Sequence, residues 1–215
     1  YDMLFSGKAK RAPEYVDQGT GNGMSLQQSA IVTDKYGPWT TYSIDMKTDS
    51  KSAFNFGSFS ITQGNPAQGT FGTSYEWNVG IEYENPNTKN SDFAISKIGV
   101  SYASGEGVIG LTGKNDGSTA KYDLGASTQL IGSKAEIGFT MLDEIINVNV
   151  DVKGGYGTGE SVSAGIPRLK SVIEEGKLGF SLGASHGSLK KGYGSLNVKA
   201  EIDFGKIGNK IKILY

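Results

Sequence analysis

Cysteine is absent from this chain, and histidine occurs once, at His186. The first absence removes disulfides, thiol nucleophiles and cysteine-bound zinc together. The second removes any histidine-rich metal site within one chain. Proline is scarce, at 5 of 215 residues, and no strict Gly-X-Y period accompanies the glycines, so a collagen helix is excluded. No run reaches the roughly 18 apolar residues of a membrane helix, and no signal peptide is visible. Tyr1 is not an initiator methionine, so the expectation is a processed piece of a longer protein.

An excess of either charge is also missing. There are 21 basic and 22 acidic residues, where a nucleic-acid binder would show a basic excess or stripe. The nearest approach is Lys190, Lys191, Lys199, Lys206, Lys210 and Lys212, opposed by Glu201 and Asp203. On alternating strands these read as a solvated face. No nucleic-acid partner, cofactor or metal is expected.

What the chain has is glycine, 32 of 215 residues, about twice the usual share. The glycines separate short apolar runs, as expected of many strands. Residues 1 to about 35 are the least regular, with Gly19, Gly21 and Gly23 in a loop-like run. From about residue 39 the apolar period is two. Tyr75, Trp77, Val79, Ile81 and Tyr83 alternate with Glu76, Asn78, Gly80, Glu82 and Glu84. The same pattern recurs in Tyr42–Met46, Tyr122–Ala126, Ala135–Met141, Ile146–Val152 and Leu196–Phe204. β-Branched and aromatic residues dominate the apolar sides, which favours strand over helix. Asn85-Pro86-Asn87 and Asn115-Asp116-Gly117 are short turns, so neighbouring strands pair antiparallel. One segment, Pro167 to about Glu175 before Gly176, reads as a short connecting helix. The expected fold is all-β, an antiparallel meander forming a sandwich or barrel. The expected division is an N-terminal β-rich region, 1–100, and a glycine-rich antiparallel region, 101–215.

An internal repeat lies in the second region. Tyr122-Asp123-Leu124-Gly125-Ala126-Ser127 matches Phe180-Ser181-Leu182-Gly183-Ala184-Ser185, and Lys134-Ala135-Glu136-Ile137-Gly138-Phe139 matches Lys199-Ala200-Glu201-Ile202-Asp203-Phe204. The arrangement predicts a strand-loop-strand unit used twice, with Ile137 and Ile202 in equivalent buried positions. The repeated Gly-Ala-Ser and Lys-Ala-Glu-Ile-x-Phe units, over residues 104–205, resemble the glycine-rich strand regions near the C-termini of bacterial polymorphic toxins. The resemblance brings no catalytic motif. It implies a secreted, antagonistic protein, with a cell-surface receptor or an immunity protein as partner.

Several motifs touch known chemistries without completing them. Gly183-Ala184-Ser185-His186-Gly187 fits the G-x-S-x-G pattern, but the elbow needs a following helix. In a strand, residues 185 and 186 also point to opposite faces. Gly154-Gly155-Tyr156-Gly157-Thr158-Gly159-Glu160-Ser161 has phosphate-loop glycines, yet Glu160 stands where lysine is required; it reads as a flexible hairpin. Glu82-Tyr83-Glu84 resembles the paired-glutamate strand of ADP-ribosyltransferases, without that family's supporting arginine and Ser-Thr-Ser elements. Asp143-Glu144 and Glu174-Glu175 are adjacent residues and form no dyad on a strand. Asn115-Asp116-Gly117 lacks the further carboxylates of a calcium loop. No catalytic, cofactor or metal residue is assigned. The candidate binding face comprises Tyr75, Trp77 and Tyr83 with Glu82 and Glu84.

Two functions fit these features. The first is a secreted or cell-surface β domain of a bacterial toxin or surface protein, acting at a target cell surface. The alternative is an outer-membrane β-barrel or pore-forming protein. Ile207, Ile211, Ile213 and Tyr215 then alternate towards an aromatic end like a closing strand, although Asn209 interrupts that face. The surroundings of the Tyr75–Tyr83 row separate the two. In a soluble sandwich the Tyr75–Tyr83 row meets a protein core; in a barrel it meets lipid, and the glutamates turn inward.

Overall fold

A computed structural model describes residues 32–47, 54–89 and 91–207. Nine strands follow one another in a single antiparallel sheet: β1 (Val32–Tyr36), β2 (Trp39–Lys47), β3 (Phe54–Gln63), β4 (Thr73–Glu84), β5 (Phe93–Asp116), β6 (Thr119–Met141), β7 (Ile146–Pro167), β8 (Lys177–Ser188) and β9 (Gly192–Asp203). Each pairs with its sequence neighbour, and β7 also pairs with β9. The fold is therefore the all-β antiparallel meander expected, in the form of a curled half-barrel. The sheet is continuous from β1 to β9, and β5 runs through residues 100 and 101. Ser171–Glu175 forms one π-type turn ending at Gly176 in the left-handed conformation, the short helix the sequence suggested.

The curl comes from the middle of the three longest strands. The pairing register slips in β5 between Ser101 and Glu106, and between β6 and β7 at Gln129/Ile131. Extra residues at such bulges bend a strand and increase its twist. β7 pairs with β9 through Ile146–Gly155 but with β8 through Gly159–Gly165, while β8 and β9 pair with each other. That closed three-way pairing requires β7 to fold back on itself around Tyr156. Lys199 of β9 consequently reaches Asp116 at the end of β5, 2.9 Å away. In an unbent sheet these two residues would lie at opposite ends of the long strands.

Two sequence expectations are corrected here. The glycine run 154–159 is not a hairpin; it is the interior of β7, at the bend. Gly159 has φ +92°, a conformation L side chains rarely adopt, and its Cα lies against Ala126 and Ser127 of β6. The repeat is not one strand-loop-strand unit used twice. Both halves of its first copy lie in β6, whereas the second copy divides between β8 and β9. The chain crosses the bend without turning in the first copy and makes a hairpin in the second. Ile137 and Ile202 are both half-buried and both pair with β7, at Val150 and Ile146. Of the expected closing strand, Phe204–Ile207 is a helical turn; residues 208–215 lie outside the described residues.

The two faces of the sheet have the opposite polarity to a soluble sandwich. Among the described residues only Ala120 and Tyr193 are apolar and buried. The buried side chains are instead Thr62, Ser74, Ser101, Ser104, Thr112, Asp123, Ser127, Gln129, Thr140, Lys153, Ser181, Ser185 and others of that kind. Ile81, Ile98, Val100, Ile109, Leu111, Leu124, Val152, Val162, Phe180, Leu182 and Leu196 are exposed. Strand alternation explains the division: on β6 before the bend Asp123, Ser127 and Gln129 point inward while Leu124 and Ala126 point outward. The bulge at Leu130 and Ile131 leaves both exposed and shifts the phase by one, so Lys134, Glu136, Gly138 and Thr140 take the inner positions beyond it.

Candidate functional site: the charged inner face

The inner face carries a chain of ion pairs drawn from four strands, extended by a tyrosine of a fifth. Lys97 of β5 lies 3.0 Å from Glu82 of β4 and 2.8 Å from Glu136 of β6. Lys134 stands 3.0 Å from Glu136 and 4.0 Å from Glu76. Lys153 of β7 donates to Glu76 at 2.6 Å and to Glu106 of β5 at 2.5 Å. The Tyr193 hydroxyl of β9 donates to the other oxygen of Glu106 at 2.9 Å. The Lys153 side chain is 1% exposed. Burying an ammonium is costly unless paired, and two carboxylates meet that requirement here.

The glutamates arrive together because β4 and β5 are antiparallel neighbours with Glu76 directly opposite Glu106. Like charges in that position repel. Lys153 between them resolves the repulsion and ties β7 to the β4–β5 pair. Beside this network lies a cavity of about 280 Å3, lined by Lys97, Lys114, Lys121, Lys134, Asp151 and Lys199 among others. At the bend, the Gln129 side-chain amide is fully buried with neither polar atom hydrogen-bonded, and the Ser104 hydroxyl is in the same position. Buried polar atoms of this kind are ordinarily satisfied by water, so the interior is suited to water and polar solutes.

The outer face is built from aromatic and aliphatic side chains at matching heights. Tyr75 lies across Gly107, its hydroxyl 2.6 Å from that of Thr128 on β6. Trp77 lies across Gly105. Any larger residue at either glycine would collide with the ring. Six residues further along β5, Trp39 covers the strand, donating its indole N–H to the Leu111 carbonyl at 3.1 Å. It packs edge-on against Tyr122, whose hydroxyl is 2.5 Å from that of Tyr36. Between these aromatic groups lie Ile109, Leu111 and Leu124.

The residues of the expected binding face are thus divided between the two surfaces. Tyr75, Trp77 and Tyr83 share the outer face; Glu82 is on the inner face with Lys97, and Glu84 ends β4, exposed. Ser185 is buried on the inner face while His186 is outside, 77% exposed, 2.9 Å from Glu160. They point apart, as strand geometry required. Asp143 and Glu144 form the β6–β7 turn, with Leu142, and all three have positive φ. Glu174 and Glu175 lie exposed on the helical turn. Asn115-Asp116-Gly117 makes the β5–β6 turn, and Asp116 is engaged with Lys199. Lys153, Glu106, Lys134 and Glu136 were missed by motif reading. They stand at alternate strand positions, where a charge ordinarily meets solvent.

No protein-family model, curated protein or solved structure matches this chain. Among the described residues, no helix is long and apolar enough to cross a membrane, which says nothing of strands.

Proposed function

We propose that this chain is a membrane-embedded β-protein of the barrel or pore-forming kind, its outer face against acyl chains and its charged inner face towards water. The observation that carries the reading is the inverted polarity. An exposed apolar surface running across β4 to β9 far exceeds the few hundred Å2 that a soluble monomer tolerates. A polar, ion-paired interior with apolar residues outward is the pattern of a transmembrane barrel.

The dimensions agree. β4, β8 and β9 each have 12 residues. At ~3.3 Å per residue and a tilt of ~45°, that spans about 28 Å, close to a hydrocarbon core of ~30 Å. The long strands bend near their midpoints into halves of similar length. The outer aromatics lie in two groups, Tyr75 with Trp77 and Tyr36 with Trp39 and Tyr122, roughly 20 Å apart along the strand and so about 14 Å apart along the membrane normal at the same tilt. Aromatic and aliphatic side chains together make up the lipid-facing surface of such proteins, with tyrosine and tryptophan enriched towards an interface, where the Tyr36, Trp39 and Tyr122 group at the strand ends fits. Sheet edges are costly in lipid. β8 and β9 close upon β7, and the edge strand β1 has only 5 residues.

A secreted toxin domain is reconciled with this reading if the protein reaches its membrane from outside, as a pore former. A receptor or an immunity protein then remains the expected partner. A soluble domain acting at the surface would leave the outer apolar rows without a function. Flotation is the test. Protein refolded from denaturant with phosphatidylethanolamine–phosphatidylglycerol vesicles should rise with them through a density gradient and resist carbonate extraction. Protein that stays at the bottom of the gradient, as a folded detergent-free monomer, would overturn the proposal.

A further inference from the structure

The β5–β6 ladder places Lys114 directly opposite Lys121, both on the inner face and both lining the 280 Å3 cavity. Two ammonium groups directly opposed on one face are destabilising. Only one of them has a salt-bridge partner of its own. Lys121 has Asp123 at 3.3 Å, but among the described residues no carboxylate oxygen lies within 4.0 Å of the Lys114 ammonium. The neighbouring acids are engaged elsewhere: Asp116 with Lys199, Glu76 and Glu106 with Lys153. Lys114 is therefore, among the described residues, the one lysine of the cavity lining without an ion pair within 4.0 Å, although its charge is felt by Glu76 and Asp116, and Asp151 is the one lining acid without such a pair.

We propose that Lys114 and Lys121 form a binding site for a small free oxyanion, of the phosphate or sulfate class, inside the cavity. One oxyanion between the two ammonium groups removes their repulsion and accepts from both. The cavity admits it with several waters, at about 30 Å3 each. The site is reachable: Lys121 is 19% exposed and Lys114 half-buried, whereas Lys153 is closed off by its two glutamates. A lipid headgroup is the other source of such an anion. The inner-face position favours the free ion, because acyl chains would have to follow the headgroup into a charged space. The inference goes beyond the membrane reading, since the cavity lies on the inner face whatever covers the outer one.

Calorimetric titration of inorganic phosphate into the folded protein, in a detergent micelle free of phospholipid, tests it. Saturable binding at one site per chain is expected. Lys114→Gln should weaken it at least tenfold, Lys114→Arg should retain it, and Lys170→Gln, on the exposed helical turn, should leave it unchanged. Heat that does not saturate, or equal affinity in folded Lys114→Gln protein, overturns the site. If Lys114→Gln does not fold, spectra of wild-type protein carrying 13C at the lysine ε-carbons decide instead. Phosphate should shift the Lys114 and Lys121 signals, assigned with Lys114→Arg and Lys121→Arg. A shift in neither, or an equal shift in all lysines, contradicts the site. Binding seen only when vesicles of phosphatidic acid replace free phosphate would also contradict it, and would assign the lysines to a headgroup. Flotation is unaffected by any of these outcomes, so the two proposals fail separately.

Discussion

Lys153 shows most clearly how single residues hold this inner face together. Its ammonium is enclosed by Glu76 and Glu106, which face each other across β4 and β5. Removing one partner of a buried charge pair leaves the others uncompensated and costs about 3–5 kcal/mol. Lys153→Met is therefore expected to lower the denaturant midpoint strongly, and Glu76→Gln with Lys153→Met to recover part of the loss. Equal midpoints for wild type and Lys153→Met would mean that the network is solvent-screened and contributes little. On the outer face, Gly107 holds Tyr75. Gly107→Val forces the ring off the strand, an overpacking expected to cost about 1–3 kcal/mol, and Tyr75→Ala in the same chain should restore most of it. A Gly107→Val protein as stable as wild type would remove Tyr75 from its seat. Ser185 and His186 point to opposite faces, so Ser185→Ala is expected to leave any membrane or toxic activity within a few-fold of wild type. A hundredfold loss in folded Ser185→Ala protein would revive the nucleophile that strand geometry excludes.

At the scale of elements, alternation was legible and register was not. Apolar and polar residues at successive positions placed β2, β4, β6, β7 and β9 on the sequence. The Asn-Asp-Gly turn and the short helix before Gly176 were equally plain. The bends were hidden, because a glycine-rich stretch reads as a hairpin whether it turns the chain or only folds the sheet. Residues 154–159 do the second. The site was hidden for a related reason: Glu76, Glu106, Lys134 and Lys153 are unremarkable polar-face charges until the register brings them together. Which face is inner is likewise a property of the curled sheet; period two is the same in a sandwich and in a barrel. The bulge at Leu130–Ile131 makes a strong test, since it alone keeps Lys134 and Glu136 inside. Deleting Leu130 should slip the phase of Gly132–Met141 and turn those charges outward, so no folded protein is expected by near-UV circular dichroism. A deletion variant with the wild-type spectrum would show that the phase shift is not required.

The β6–β7 turn adds a pH-dependent tie. Lys206 donates to Glu144 at 2.5 Å and Thr88 also donates to it, which together hold its carboxyl below the ordinary value of 4.5. A carboxyl lowered by folding contributes stability that is in place above pH 4.5 and lost as the pH falls through its lowered value. Both partners are partly exposed, so the contribution is about 1 kcal/mol or less. Glu144→Gln should reduce stability slightly at pH 7 and match wild type at pH 2. A difference that persists unchanged at pH 2 would assign the effect to the turn's left-handed backbone instead of the ion pair.

For the whole molecule, the central claim is that the apolar face of this sheet meets lipid. A small soluble domain gains its stability chiefly by burying apolar surface. Here, among the described residues, Ala120 and Tyr193 are the only fully buried apolar side chains, while ion pairs occupy the inner face. On the proposed reading, transfer of the outer rows into acyl chains would supply that term. Trp77 sits in that outer row and Trp39 is the other tryptophan. A Trp39→Phe protein therefore reports from one place. Reconstituted with lipids brominated along their acyl chains, Trp77 should lose most of its emission, while aqueous iodide should quench it little. Emission untouched by the brominated lipids and quenched by iodide would contradict the account, placing the Tyr75–Tyr83 row in water or against protein.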